Sequence, residues 1–209
     1  QWWGSSVVVV GSDLSNLDRV DSPSKSLNIM GVAKAGDTMV AVGETLAYST
    51  NNGRTFWPLE LPAEAGYLAS VEAAQDKFVA IGRDGTIIRS SNAVDWSKRL
   101  SNTTEHLLDL VFGDGLWVAV GEDGTIVSSP DASVFTLRPS GSGIPLRAIT
   151  HGNNKFVIVG DSGAILTSSD AINWNMQGTD EALDLQGVTF GNGRFVAVGS
   201  EGIVHTSVD

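Results

Sequence analysis

The apolar positions of this chain come in short runs of four to seven residues, rich in Val, Ile, Thr and aromatics and bounded by Gly, Asn or Asp. Runs of that length and bounding predict β-strands, and no segment keeps apolar residues at helical spacing over three turns. One phrase recurs along the chain: Met39-Val40-Ala41-Val42-Gly43, Phe78-Val79-Ala80-Ile81-Gly82, Trp117-Val118-Ala119-Val120-Gly121, Phe156-Val157-Ile158-Val159-Gly160 and Phe195-Val196-Ala197-Val198-Gly199. Its glycines advance by a constant step of 39, and Gly4 lies one step before Gly43, so the chain opens inside a partial sixth copy. A period near 40 built from strands belongs to propellers, solenoids or arrays.

Within one unit the pattern resolves four strands. From Leu107, a first strand (a) runs to Phe112, a tight turn follows at Gly113-Asp114-Gly115, and strand b occupies Leu116 to Val120. Glu122-Asp123-Gly124 makes a hairpin turn, strand c spans Thr125 to Ser128, and a second turn at 129–133 leads to strand d at Phe135 to Arg138. Residues 139–145 then cross to the next unit. A single blade of this kind is apolar on both faces and buries them only by stacking on neighbours. The expected fold is therefore all-β: a β-propeller of five blades, each of four antiparallel strands, in a single domain over 1–209. The units start at about Ile29, Leu68, Leu107, Leu146 and Leu185.

The two ends predict a shared blade. Gln1 to Trp3 align with the end of strand b, Val7 to Val10 with strand c, Gly11-Ser12-Asp13 with a turn and Leu17 to Val20 with strand d. The last unit supplies a, b and c and stops in the turn before d, so residues 1–28 are expected to close it. Strand c is thereby supplied twice, by Val7 to Val10 and by Ile203 to Thr206. One copy is displaced, or the chain is a piece of a larger propeller, or a monomer gives way to exchange of terminal strands between molecules.

Composition narrows the chemistry. The absence of cysteine in 209 residues excludes a disulfide scaffold, thiolate metal sites and a cysteine nucleophile. Twenty-four acids against 13 Lys and Arg give a net charge of −11, which disfavours nucleic acid as a partner. Apolar runs such as Val7 to Val10 fall far short of the ~20 residues of a membrane span, so no membrane insertion is expected. The sequence begins at Gln1 rather than Met, so a cleaved signal peptide, a tag or the rest of a longer protein is expected upstream, and the location is left open, leaning towards secreted or periplasmic.

The turn between strands c and d carries its own motif. It pairs Ser49 with Asn51 and Phe56, Ser90 with Asn92 and Trp96, Ser129 with Asp131 and Phe135, Ser168 with Asp170 and Trp174, and begins again at Ser207 and Asp209. The short polar side chains are suited to accept hydrogen bonds from turn amides, and the aromatic to pack over the hairpin. On these residues the whole chain resembles the Asp-box, or BNR, repeats of sialidase-like propellers, whose motif is Ser-x-Asp-x-Gly-x-Thr-Trp. It is also similar to the photosystem II assembly-factor type of propeller. The resemblance implies that these boxes are structural and lie opposite the ligand face. A sialidase mechanism is not implied: Tyr48 lies on strand c away from the axis and Tyr67 at the start of a strand a, Arg54, Arg99 and Arg138 lie on c-to-d turns or strand d, and Arg147 alone heads a strand a, so no arginine triad surrounds the axis.

Candidate ligand residues follow from propeller geometry. The b-to-c turns carry Glu44, Asp84, Asp123, Asp161 and Glu201 on the face of the long d-to-a crossings, where ligands usually sit. Such carboxylates suit a hard cation such as calcium or a basic partner, and equally make soluble hairpin turns; no other cofactor is expected. Trp57, His106, Arg138 and Arg147 are further candidates on that face. The inner-strand column reads Gly31, Ser70, Asp109, Ala148 and Gly187, so Asp109, with Glu72, is the one carboxylate pair a glycoside-acting enzyme would use. His106, His151 and His205 share no ligand spacing. The crossings 57–67, 97–106, 136–145 and 175–184 differ while the strands repeat. The expected function is a non-catalytic binding scaffold for a protein or extracellular glycan; the alternatives are a glycoside-acting enzyme and a multivalent lectin.

Overall fold

The computed structural model describes residues 7–11, 17–21, 28–63, 65–177 and 182–207, the first two stretches by backbone alone. Every repeat folds into antiparallel strands because each run alternates side chains across two faces that are both apolar. The chain divides into two compact units: Gln1–Gly82 with Ile87–Lys98, and Arg83–Thr86 with Arg99–Asp209.

In the first unit, β1 (Val7–Gly11) and β2 (Leu17–Asp21) pair with each other in a two-stranded sheet. A four-stranded sheet follows, β3 (Ile29–Ala35), β4 (Thr38–Gly43), β5 (Leu46–Ser49) and β6 (Trp57–Leu59), in chain order. The next holds β7 (Leu68–Ala74), β8 (Lys77–Gly82), β9 (Ile87–Ser90) and β10 (Ser97–Lys98). Val40, Val42 and Leu46 of one sheet share a core with Val71, Phe78, Ala80 and Ile88 of the other. Met39, Ala41, Ala47 and Phe56 fill the opposite face of β3–β6.

The second unit repeats this arrangement. Its first sheet is β11 (Leu107–Gly113), β12 (Leu116–Gly121), β13 (Ile126–Ser129) and β14 (Thr136–Arg138). Next come β15 (Leu146–Gly152), β16 (Lys155–Gly160), β17 (Ile165–Ser168) and β18 (Asn175–Met176). The last sheet has three strands, β19 (Leu185–Gly191), β20 (Arg194–Gly199) and β21 (Val204–Ser207). Strand β16 shows why sheets stack: Phe156 and Ile158 enter the core shared with β12 and β13, while Val159 enters the core shared with Leu185 and Ala197. Each first strand carries a register shift at the same place, before Gly31, Ser70, Asp109, Ala148 and Gly187.

The four-strand unit expected from the sequence is present in four sheets. The N-terminal strands expected in the closing blade pair with each other, and β19–β21 form a separate sheet. The expected strand at Gln1 to Trp3, the turn residues Ser12 and Asp13, and Asp209 lie outside the described residues.

Candidate functional site

The site is built from the recurring glycine outward. Strand b ends at Gly43, Gly121, Gly160 or Gly199, and a Cβ there would lie 2.0 to 2.2 Å from the carbonyl oxygen of Asn28, His106, Pro145 or Asp184. Only a glycine lets that close an approach occur. The same carbonyls accept a hydrogen bond from the first amide of the b-to-c turn: Glu44 N to Asn28 O, Glu122 N to His106 O, Asp161 N to Pro145 O and Ser200 N to Asp184 O. Each acidic turn is thus docked on the crossing that enters its own sheet, and the two segments form one surface per blade.

In the second unit this surface gathers charge. Arg147, at the head of β15, donates from Nε to Asp161 Oδ1 at 2.7 Å and from Nη2 to Oδ2 at 2.5 Å. That fork-to-fork geometry is the strong form of an ion pair. The hydrogen bond it donates to Asp161 holds the guanidinium above its ordinary value, with burial opposing and the charges of Asp161, Glu122 and Asp184 adding. Asp184 accepts from Ser162 N at 2.9 Å, tying the 3-10 turn Asp161–Gly163 to the following crossing. His106 accepts at Nδ1 from Asp84 N at 3.1 Å, while the Asp84 side chain itself is well exposed. Asp123 and Glu201 sit at positive φ in their turns, and Arg138 on β14 donates from Nε to Ser128 Oγ at 2.8 Å.

The first unit contributes separate features. Glu44 Oε2 accepts from Asn28 N at 2.9 Å. Trp57 on β6 is 40% exposed with its ring 5.6 Å from Tyr48, whereas neighbouring Phe56 is buried, as strand alternation predicts. Among the described residues, no three His, Asp or Glu side chains stand at metal-binding spacing, so the carboxylate turns gather no calcium cage there.

Asp109 is engaged by main chain. Its Oδ1 accepts from Leu110 N and its Oδ2 from Ile149 N of the neighbouring strand, both at 2.9 Å. The column is otherwise small because adjacent inner strands pass close: at Gly31 a Cβ would be 3.3 Å from Val71 N. Val71 is the repeat equivalent of Ile149, so the aspartate reaches an amide that a glycine merely leaves room for. In the first unit, Glu72 Oε1 accepts from Ala73 N at 3.0 Å.

The c-to-d turns are closed hydrogen-bond nests. Ser168 Oγ donates to Asp170 Oδ1 at 3.0 Å, and that oxygen accepts from Ile172 N and Asn173 N. The serine-to-Asx hydrogen bond recurs at Ser90 with Asn92, at Ser49 with Asn51 and at Ser129 with Asp131. The aromatics behave as closing groups: Phe135 is fully buried, while Trp96 and Trp174 pack against their cores. The backbone hydrogen bonds from Asn173 and Ile172 hold the Asp170 carboxyl well below the usual carboxylate range. A depressed carboxyl stabilises the fold above its unfolded value, near 3.8, and that contribution is lost as pH falls through the folded value. Asp170→Asn is accordingly expected to lower stability modestly at pH 7, where the charged form contributes in full, and to flatten the fall in stability below about pH 4; the turn itself is kept, as Asn51 and Asn92 keep it. Urea unfolding from about pH 2 to about pH 7 reads this directly; an unchanged acid slope would disprove it.

A further feature carries no motif in the sequence. A cavity of about 440 Å³ opens between the sheets β15–β18 and β19–β21, with His205 on its wall. Among the described residues, the imidazole Nε2 is buried without a hydrogen-bond partner. Its signal is a broken column: Ile88, Val127 and Leu166 are followed, one step later, by His205.

No family model matches the sequence and no curated protein matches it. Solved structures do. The chain is similar to "YCF48 bound to D1 peptide", with a TM-score of 0.72 and 15% identity over 92% of this chain and 67% of that one. It is also similar to YCF48 from Cyanidioschyzon merolae, with a TM-score of 0.71 and 14% identity over 94% of this chain and 73% of that one. The likeness shows a fold of the β-propeller type.

Proposed function

We propose that the chain is a non-catalytic propeller scaffold that binds a polypeptide partner at the surface made by its b-to-c turns and d-to-a crossings. The observation that carries this reading is the likeness in fold to a protein whose structure holds a bound peptide. The docking of turn on crossing supports it: a repeated, rigid hydrogen bond presents segments whose sequences differ from blade to blade. The occupation of both Asp109 oxygens by main-chain amides favours a scaffold over a glycoside-acting enzyme. The Ser-to-Asp nests carry the chemistry of Asp-box repeats and serve the frame.

The charge of −11 and the acidic turns set the partner's chemistry as a segment with exposed Lys or Arg. Selection from a displayed random-peptide library is expected to enrich basic peptides whose affinity falls as salt rises from about 50 to about 300 mM, on the order of tenfold. Asp84→Asn and Asp123→Asn keep residues that tolerate positive φ and are each expected to weaken these peptides several-fold. Anisotropy titrations measure both. Enrichment without charge preference, or binding to a glycan array with none to peptides, would refute the reading.

A further inference from the structure

The third residue of each strand c pairs with a residue of strand d, and the four-stranded sheets show what the repeat places there. The pair is Arg89 with Ser97, Ser128 with Thr136 and Thr167 with Asn175, polar each time. In the sheet β3–β6 it is Tyr48 with Trp57. Two residues further along strand d, Leu59 stands where β14 carries Arg138. The repeat is thus broken at three positions of one sheet edge, each time towards apolar surface. Burial does not account for the change. Tyr48 and Leu59 lie half-buried against the core that β3–β6 shares with β7–β10, but Trp57 stays 40% exposed. Its ring stands 5.6 Å from that of Tyr48 and is inclined to it by 37°, so the two form one aromatic surface seated on packed side chains. An indole held in water where the repeat uses Ser, Thr or Asn forgoes the gain of burial unless something covers it.

Three observations select the occupant. β6 is the edge strand of its sheet, and Pro58, its middle residue, stands opposite Ala47. Having no N–H to give β5, the proline takes the position whose main chain faces outward, so the outer edge lacks a donor at its centre. An added strand is refused there, and an occupant is recognised by what it lays on the rings. Next, the polar atoms of the pair are Trp57 Nε1, a donor only, and Tyr48 Oη, which can donate. Among the described residues neither has a hydrogen-bond partner. A polyproline II segment is the complement, because its carbonyls are free to accept, its prolines carry no N–H and its rings are apolar and already ordered. A sugar brings hydroxyl donors for which the two rings supply no carbonyl or carboxylate. Last, Glu60 is exposed directly after β6 in a chain of net charge −11, which suits a basic residue flanking the prolines.

We propose that the Tyr48–Trp57 surface is a docking site for a proline-rich segment of a partner polypeptide in the polyproline II conformation. The proline rings lie on the two aromatic rings, the indole N–H and the tyrosine hydroxyl donate to carbonyls of the segment, and a flanking Arg or Lys meets Glu60. Aromatic surfaces recognise such segments because little conformational freedom is left to lose on binding. The site belongs to the first unit and uses none of the b-to-c turns.

The test uses the 209-residue chain and an end-capped, labelled decaproline, followed by anisotropy and by the indole N–H resonances. Saturable binding that moves the Trp57 resonance is expected, and it holds as salt rises because the prolines carry no charge, unlike binding of basic peptides at the acidic turns. Trp57→Thr places at this exposed edge the residue that β14 carries, and is expected to weaken binding by about tenfold or more. Tyr48→Phe keeps the ring against the core and removes the hydroxyl, for a several-fold loss. One arginine added after the prolines is expected to tighten binding several-fold in the parent chain and not in Glu60→Gln. The proposal is overturned by absence of binding at millimolar decaproline, by equal binding in Trp57→Thr, by an arginine effect indifferent to Glu60→Gln, or by xylo-oligosaccharides that move the Trp57 resonance where decaproline does not.

Discussion

Gly121→Ala is expected to destabilise the protein by about 3 kcal/mol, which for a chain of this size lowers Tm by roughly 10 °C. The added Cβ would stand 2.0 Å from His106 O and 3.0 Å from the Leu107 Cα, both main-chain atoms that cannot rotate away. Relief requires the entire crossing to retreat. That movement stretches the 2.9 Å hydrogen bond from Glu122 N to His106 O and, with it, the docking of the acidic turn. Gly115→Ala separates this steric cause from a general loss of glycine flexibility. Gly115 sits at φ +79°, with no atom within 4 Å of the added methyl, so its cost is backbone strain alone, about 1 kcal/mol. Thermal unfolding followed by circular dichroism ranks the two; a larger loss at 115 than at 121 would refute the close-approach account.

The same glycines show how much of this molecule is legible in its sequence. A steric requirement that recurs in every blade leaves a strict period, so Gly43 to Gly199 announce both the repeat and the strand ends from the amino-acid order alone. Strands a, b and c are legible for a related reason, since each is apolar on both faces. Strand d is less so: β10 and β18 are two residues long and exposed, too short for any pattern to form. The pairing of the termini rests on repeat register alone, and the described strands of the two ends belong to different sheets. Within the candidate surface, Arg147 and Asp161 are each legible as face residues. Their fork-to-fork contact is not, because it depends on the crossing before β15 meeting the turn after β16. His205 is visible as a histidine without ligand spacing, and its departure from Ile88, Val127 and Leu166 emerges only where the repeat is compared column by column. A broken column is a stronger signal than a residue type.

Asp109 is the second position where a large effect is expected, and it bears on function. Replacing it with alanine removes the acceptor of two amides, Leu110 N and Ile149 N, each of which then lacks its 2.9 Å partner. A lost partner costs about 1–3 kcal/mol per buried group, and the half-burial of this strand leaves water a route to part of that, so Asp109→Ala is expected to lose about 3 kcal/mol in all. Asp109→Asn keeps one acceptor oxygen and turns an amino group towards the other amide, for a loss of about 2 kcal/mol. The order wild type, Asn, Ala in urea unfolding is the signature of a residue that staples β11 to β15. A catalytic carboxylate behaves oppositely: such residues commonly sit at a cost to stability, so their neutralisation leaves stability unchanged or raised while hydrolysis disappears. Measuring both quantities on the same variants, with a panel of aryl glycosides as substrates, decides between the roles. Turnover in the parent chain that vanishes in Asp109→Asn at unchanged stability would establish the enzyme and remove the scaffold reading; loss of stability with no turnover in any variant assigns the carboxylate to the frame.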